Sequence, residues 1–512
     1  MEEGRGAMKK LSLLLVIVLL LSSVPCMAES DSFLEPYKRL FKKSGRLDLL
    51  LAEDALWDFS GENMLSTVGW ESLTLDEATA ATHPELAAAL DEMNRSRTES
   101  SEALFGELNT LARDIFGEDG GDGYCSGSFD YYVQRADNTV LSFRSDSDVY
   151  WGGAHPDYGT AGINLDPDTG EEIALSDVVL DTYVLTTLLA RRLQEKYPEV
   201  TFGSDLEIRL LSLKEDEFEW TLGYEGITFY FNPYVILPYA AGKPTATIWF
   251  DEAKELFNPD YLPLGSQAYA VKLPLFEEVE FDLNPGDSNR DIIQISGLMG
   301  EYEAYEQLWL TINGTAYTYD IYAYSINAYL AMTGTGDDRN CFLYLESIGD
   351  SDYPTLTVYN LIGGFPEKIC ELSGSDFSGG TYSGKTVFTD PGSFRLDTRM
   401  DILGTRFGSR EYSVDLDWGM PVPHQDYYDI ENYGIPLVSM IPLEVFNLNA
   451  KTQQNLPAGT EFYAIRTDGE TYMDFRLTDG IECRIGIDTS GYPDLINGIP
   501  EDECFEGIMY AG

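Results

Sequence analysis

FDYYVQRADNTVLSF (129–143) is where the chain changes period. Phe129, Tyr131 and Val133 alternate with polar residues, Asp137-Asn138 supplies a turn, and Val140 to Phe143 returns, which is the pattern of an antiparallel meander. Immediately upstream, between Pro84 and Phe116, Leu86, Leu90, Met93, Leu104, Leu108, Leu111 and Ile115 recur mostly at steps of three and four, around a polar gap from Arg97 to Ser101. That spacing predicts one long amphipathic helix or two. Helix followed by meander is the mark of an α+β unit.

Working outward, strands continue through Ile163 to Leu165, turn at Asp166 to Gly170 and resume at Ile173. Ser176 or Asp177 then caps a predicted helix whose apolar face is Val184, Leu185, Leu188, Leu189 and Leu193, ended by Pro198. A hairpin (Phe218 to Leu222 and Ile227 to Phe231) and a strand from Thr245 to Phe250 complete an α+β unit expected over residues 29–272. Beyond it helical periodicity almost vanishes. Leu308 to Ile312, Tyr317 to Tyr324, Cys341 to Glu346, Thr355 to Tyr359 and Lys368 to Leu372 read as short strands, so residues 273–450 are expected to be all-β, with spacing that suits propeller-like blades or a sandwich. Residues 451–512, with hairpin turns at Asp468-Gly469 and Asp479-Gly480, suggest a small SH3-like barrel.

At the N-terminus, Arg5, Lys9 and Lys10 precede an apolar run from Leu11 to Leu21 and the small-residue stretch Ser22 to Ala28. This is the pattern of a secretory signal peptide over residues 1–28. A spanning helix needs about 20 apolar residues, so an uncleaved anchor is the weaker alternative, and the expectation is a secreted or extracytoplasmic protein that is not integral to the membrane once cleaved. The formal charge of −54 repels nucleic acid and favours cationic partners, although most such carboxylates simply keep a surface solvated. With 13% aromatic and 23% charged residues the chain is expected to fold. Cys125, Cys341, Cys370, Cys483 and Cys504 remain beyond the leader, with no CxxC spacing to suggest zinc or redox chemistry. Cys483 and Cys504 share one short terminal segment and are the first candidate pair for a disulfide, against the alternative that all five are reduced packing residues.

Three stretches resemble a bacterial extracytoplasmic domain of unknown function. They are WESLTLDEATAATHPELAAALDEMN (70–94), YWGGAHPDYGTAGINLDPDTGEEIALSDVV (150–179) and GITFYFNPYVILPYAAG (226–242). The domain is shared by the ectodomain of the lysozyme-responsive anti-sigma factor RsiV and the accessory region of the peptidoglycan deacetylase PdaC. The resemblance covers roughly residues 35–258, about half of the chain. It implies an interleaved α+β ectodomain used for recognition, binding a cationic protein such as lysozyme, or peptidoglycan. The candidate ligand-binding residues on the matching segments are Trp151, Gly152, Gly153, His155, Asn232, Tyr234 and Tyr239. Neither a sigma-binding domain nor the Thr-Phe-Asp-Asp-Gly-Pro stretch of the deacetylase is present, so only a binding role carries over.

No catalytic apparatus, metal site or cofactor is expected. His83, His155 and His424 fall in no paired-ligand spacing, and there is no GxSxG elbow. Gly286-Asp287-Ser288 is similar to one esterase nucleophile block but lacks an Asp three residues before any histidine. Asp166, Asp168 and Gly170 alternate like a calcium loop without the downstream Glu, so a tight Asx-bonded turn is preferred. Carboxylate pairs for glycoside hydrolysis depend on spatial separation and stay open as the enzymatic alternative. A purely structural surface protein is the third.

Overall fold

The computed structural model describes residues 45–510 apart from 118–122, 203–204, 265–266, 284–288, 301, 335–338, 378–383 and 431–433. Two units are distinguished, Met1–Gly45 and Arg46–Gly512, and only the second is treated below. The expected leader and Gly286-Asp287-Ser288 lie outside the described residues.

The helix foreseen in one piece or two is one: Pro84–Phe116 (α1), with Pro84 in its first turn and Gly117 at φ 79° closing it. It connects β2 (Asn63–Leu75) to β3 (Cys125–Ala136), which pair in parallel from Ser66↔Cys125 to Trp70↔Phe129. Parallel neighbours require a long crossover, and α1 is that crossover. Its Leu86 and Leu90 pack with Tyr131, Val133 and Phe143, and its Leu108 and Ala112 with Val68, Trp70 and Cys125. The meander follows as β4 (Leu141–Tyr150) and β5 (Asp157–Leu165). A long hairpin precedes it, β1 (Leu49–Ser60) with β2, turning at Gly61 with φ 66°. Strand order is Lys385–Thr386, β1, β2, β3, β4, β5, so a short strand from late in the chain closes one edge.

The second helix, Thr182–Lys196 (α2), starts later than expected. Its cap is Asp181, whose carboxylate accepts the Val184 amide at 3.0 Å, while Leu175–Val178 forms a separate turn. Its buried face is Leu185, Leu189 and Leu193, as expected, with Leu188 partly buried against them and Val184 exposed. That face covers a three-stranded sheet, β6 (Glu219–Leu222), β7 (Gly226–Tyr230) and β8 (Thr245–Trp249).

The β-rich half is layered. A four-stranded sheet, β10 (Glu278–Phe281), β11 (Asp291–Met299), β12 (Tyr305–Ile312) and β13 (Thr315–Ala323), packs on a five-stranded one. The latter is ordered β17 (Glu367–Ser373), β16 (Pro354–Asn360), β15 (Asn340–Ile348), β14 (Ser325–Thr333), β9 (Tyr269–Leu273). Its other face meets Phe377, Phe388, Phe394 and Tyr412, which is why β14 and β15 are almost continuously buried instead of alternating. Residue 272 falls inside β9, and residue 450 in the turn of the hairpin Leu443–Asn447/Thr452–Leu456.

The expected SH3-like barrel is corrected. Glu461–Thr467, Tyr472–Leu477 and Glu482–Gly486 belong to a twelve-stranded sheet that reaches Phe394–Asp401 and Thr405–Val414, and no closed barrel is found among the described residues. Its turn signals hold: Asp468 Oδ1 accepts the Thr471 amide at 2.8 Å and Asp479 Oδ1 the Ile481 amide at 3.0 Å. Cys483 and Cys504 sit in one hydrophobic cluster as free thiols, so the proposed bridge between them is absent from this structure.

Candidate ligand-binding site

Of the residues singled out from sequence, four gather at the β4–β5 end of the first sheet. The His155 ring lies on that of Tyr239, with centroids 4.1 Å apart and planes at 30°, and Tyr158 is 4.8 Å from Tyr239. Backbone contacts lock this ledge: the Tyr239 hydroxyl donates to Pro156 O at 2.6 Å and the Tyr158 hydroxyl to Tyr239 O at 3.1 Å. Asn232 holds the two segments together, accepting the Thr160 amide and donating to the Thr160 carbonyl, both at 2.8 Å. His155 Nδ1 is 3.1 Å from Pro156 O. Tyr234, at φ 72°, is exposed. The remaining candidates do other work. Trp151 packs on the cluster beneath α1, Gly152 at φ 74° passes under the Phe116 ring, and the Gly153 carbonyl accepts the Tyr150 hydroxyl at 2.9 Å. Asp166 Oδ1 accepts the Asp168 amide at 2.8 Å, so the calcium-like motif is an Asx turn.

A larger feature was not foreseen. The β2–β3 ladder ends at Trp70↔Phe129, and beyond it the Glu71 carboxylate takes over as acceptor for the Tyr131 amide. Beside this point lies a cleft of about 1060 Å³. Its walls carry Trp57, Trp70, Phe129, Tyr132, Phe276 and Tyr305 together with Glu53, Asp54, Glu71 and Asp130. Trp57 and Phe276 are 62% and 53% exposed, unusual for such large apolar side chains, whereas Trp70 is 6% exposed and its Nε1 has no hydrogen-bond partner. Phe276 is also held at φ 66°, a conformation that bulky residues rarely adopt and that clusters at functional sites.

Lys272, on β9, organises the acids. Its ammonium is 3.4 Å from Glu71 Oε1 and 5.5 Å from the Tyr132 ring centroid. Burial pushes the Glu71 and Asp130 carboxyls up from their ordinary range, and the Lys272 charge pulls both part of the way back. Flat aromatic walls suit the apolar faces of sugar rings, and carboxylates accept hydrogen bonds from hydroxyls. Among the described residues, no group of three or more His, Cys, Asp or Glu side chains is placed to hold a metal ion. No helix among them is long and apolar enough to cross a membrane.

Sequence reasoning missed the cleft because its walls come from β1, β2, β3, β9, β12 and β14, which no local spacing connects. The available signal was Trp57, a large apolar residue in the acidic stretch AEDALWDF (52–59).

No curated protein matches the chain. Two solved structures are similar to it. One, from Bacteroides fragilis and described as a member of the DUF3298 family, is 20% identical with a TM-score of 0.32, over 43% of this chain and 96% of that one. The other, a DUF3298 family protein from Pseudomonas aeruginosa, is 16% identical with a TM-score of 0.30, over 43% of this chain and 99% of that one. Residues 189–251, from the middle of α2 to just beyond β8, match the family model described as protein of unknown function (DUF3298). The match to the DUF3298 model is thus confined to one segment of a larger, mostly β-rich architecture.

Proposed function

We propose that this protein is an exported, non-catalytic recognition protein of the bacterial cell envelope whose cleft takes a glycan of the peptidoglycan type. The observation that carries the reading is the cleft at the end of the β2–β3 ladder, where two half-exposed aromatic side chains, Trp57 and Phe276, stand beside carboxylates. Aromatic platforms bordered by hydrogen-bonding groups are what a sugar chain requires, and a space of this size accepts several rings. The leader-like residues 1–28 and the resemblance to envelope ectodomains support export.

Co-sedimentation of the purified chain with insoluble peptidoglycan is the test. Retention at 0.15 M salt, lost when Trp57→Ala and Phe276→Ala are combined, is the expected result. A second reading, capture of a cationic protein such as lysozyme, is favoured by Asp148 and Asp157, which stand opposite and next to Tyr158 of the ledge on the paired strands β4 and β5. Retention on immobilised lysozyme that depends on Tyr239, with none on peptidoglycan, would replace the first reading by the second. Reducing ends released from peptidoglycan, abolished by Glu71→Gln or Asp130→Asn, would overturn the non-catalytic part.

A further inference from the structure

We infer that the open edge of β1 is a docking strand for an extended, cationic segment of another protein, which joins the first sheet as one further strand. The short strand Lys385–Thr386 pairs with β1 only at Leu50 and Leu51. From Ala52 to Ser60, β1 is paired on one side by β2, and no strand pairs with its other side among the described residues. Ala52, Glu53, Asp54 and Ala55 are all exposed, and the two alanines put little side-chain bulk in the way of an approaching backbone.

Successive residues of an antiparallel strand turn their N–H and C=O groups to opposite sides. The Asp48 carbonyl accepts the Asp76 amide at 2.9 Å, on the β2 side, and the Leu49 carbonyl accepts the Val387 amide at 3.0 Å, on the other. The β1–β2 register runs unbroken from Leu49 to Asp58, so the odd-numbered residues face outward as far as Trp57. Glu53, Ala55 and Trp57 therefore present their backbone donors and acceptors away from β2, the template on which a strand adds. Such an edge pairs with any strand that reaches it unless charge or shape turns that strand away.

Charge selects the occupant. The neighbour that β1 does pair with on this side meets it with a cation: Lys385 Nζ donates to Glu53 Oε1 at 3.0 Å. Glu53 stands opposite Glu71 on β2, and, after burial, its charge is among the causes that hold the Glu71 and Asp130 carboxyls above their ordinary range. Glu53, Asp54, Glu71 and Asp130 thus share the ammonium groups of Lys272 and Lys385, and the balance stays negative. A strand bearing Lys or Arg continues the Lys385 pattern along the edge. A second copy of β1, whose stretch AEDALWDF (52–59) contains acids and no base, would set acid against acid. Main-chain atoms of β1 carry this site, so it stands apart from glycan binding in the cleft, although the Glu53 and Trp57 side chains border both.

The test uses the full chain at 0.15 M salt and three short synthetic peptides: alternating lysine and valine, alternating glutamate and valine, and the lysine–valine peptide with its backbone N–H groups methylated. Binding is read by fluorescence anisotropy and by hydrogen exchange of the protein. The lysine–valine peptide should bind saturably and slow amide exchange within residues 52–60. Its affinity should fall at least tenfold on N-methylation, which removes donors and keeps the charge, and the glutamate–valine peptide should not bind. Ala55→Pro, which removes an outward N–H of a kind that edge strands can lose, should also weaken binding at least tenfold. The methylated peptide keeps the test decisive if that variant does not fold. Phe276→Ala in the cleft should leave peptide affinity unchanged, so glycan binding and peptide binding fail separately. No saturable binding at millimolar peptide, equal binding of the glutamate–valine peptide, or binding indifferent to both N-methylation and Ala55→Pro would overturn the proposal. A dimer of the chain dispersed by Ala55→Pro would overturn it too, by giving the edge to a second copy.

Discussion

Glu346 is the most revealing single residue. It is buried in β15, with Asn327 Nδ2 at 3.5 Å from one oxygen and no partner for the other, and burial, reinforced by Asp376, raises its carboxyl to about 7. The folded state therefore holds the proton more tightly than the unfolded chain, whose carboxyl titrates near 4.5. Stability from this group is fully present below that lower value and falls as pH rises towards 7. Glu346→Gln should remove about 3 kcal/mol of that pH dependence, making the variant more stable than wild type at pH 8 and close to it at pH 4.5. Urea melts at the two pH values check this. An equal effect at both would contradict it. Asn232→Ala, which deletes both bonds to Thr160, should cost about 1–3 kcal/mol in the same assay and release the ledge. Legibility divides along the same line. His155 and Asn232 could be singled out because their segments carry a recognisable local pattern, whereas Glu71, Asp130, Lys272 and Phe276 gain their meaning only from each other.

Among the elements, the helices and the meander were legible because one face of each is buried and the other solvated, so period reports structure. The cap of α2 was misplaced by a few residues because Ser176, Asp177 and Asp181 are all good caps, and only packing of Leu185, Leu189 and Leu193 on β6–β8 selects among them. Asp181→Ala should therefore lower stability by about 1 kcal/mol, whereas Ser176→Ala should be nearly silent. β1 went unread because beyond Leu51 it leaves the core, so alternation fades there. Close approach of sheets is equally invisible in sequence: Gly162 on β5 lies against the backbone of Trp220 on β6, where a Cβ would run into the carbonyl. Gly162→Ala is expected to destabilise by at least about 2 kcal/mol, measured by denaturant midpoint, while Gly61→Ala, in open space, should cost less.

Across the whole molecule, cores are shared between layers. The five-stranded sheet is covered on one face by β10–β13 and on the other by Phe377, Phe388 and Phe394, so removing either layer exposes apolar surface on the next. Unfolding followed by far-UV circular dichroism and by tryptophan fluorescence should coincide in one transition for residues beyond Arg46. The same layering explains why the second half could be read as strands but not as a topology: pairings such as β9 with β14 join distant stretches that alternation alone does not link. The cleft belongs to this scale too, since β9 from the layered half brings Lys272 to the sheet carrying Glu71 and Asp130. Its occupancy by glycan is the central claim. Calorimetric titration of the purified chain with soluble peptidoglycan oligosaccharides tests it most directly. Saturable binding that weakens about tenfold or more in Trp57→Ala, with the melting temperature unchanged, is the predicted result. Undiminished affinity in that variant, or no heat of binding to wild type at millimolar oligosaccharide, would contradict it.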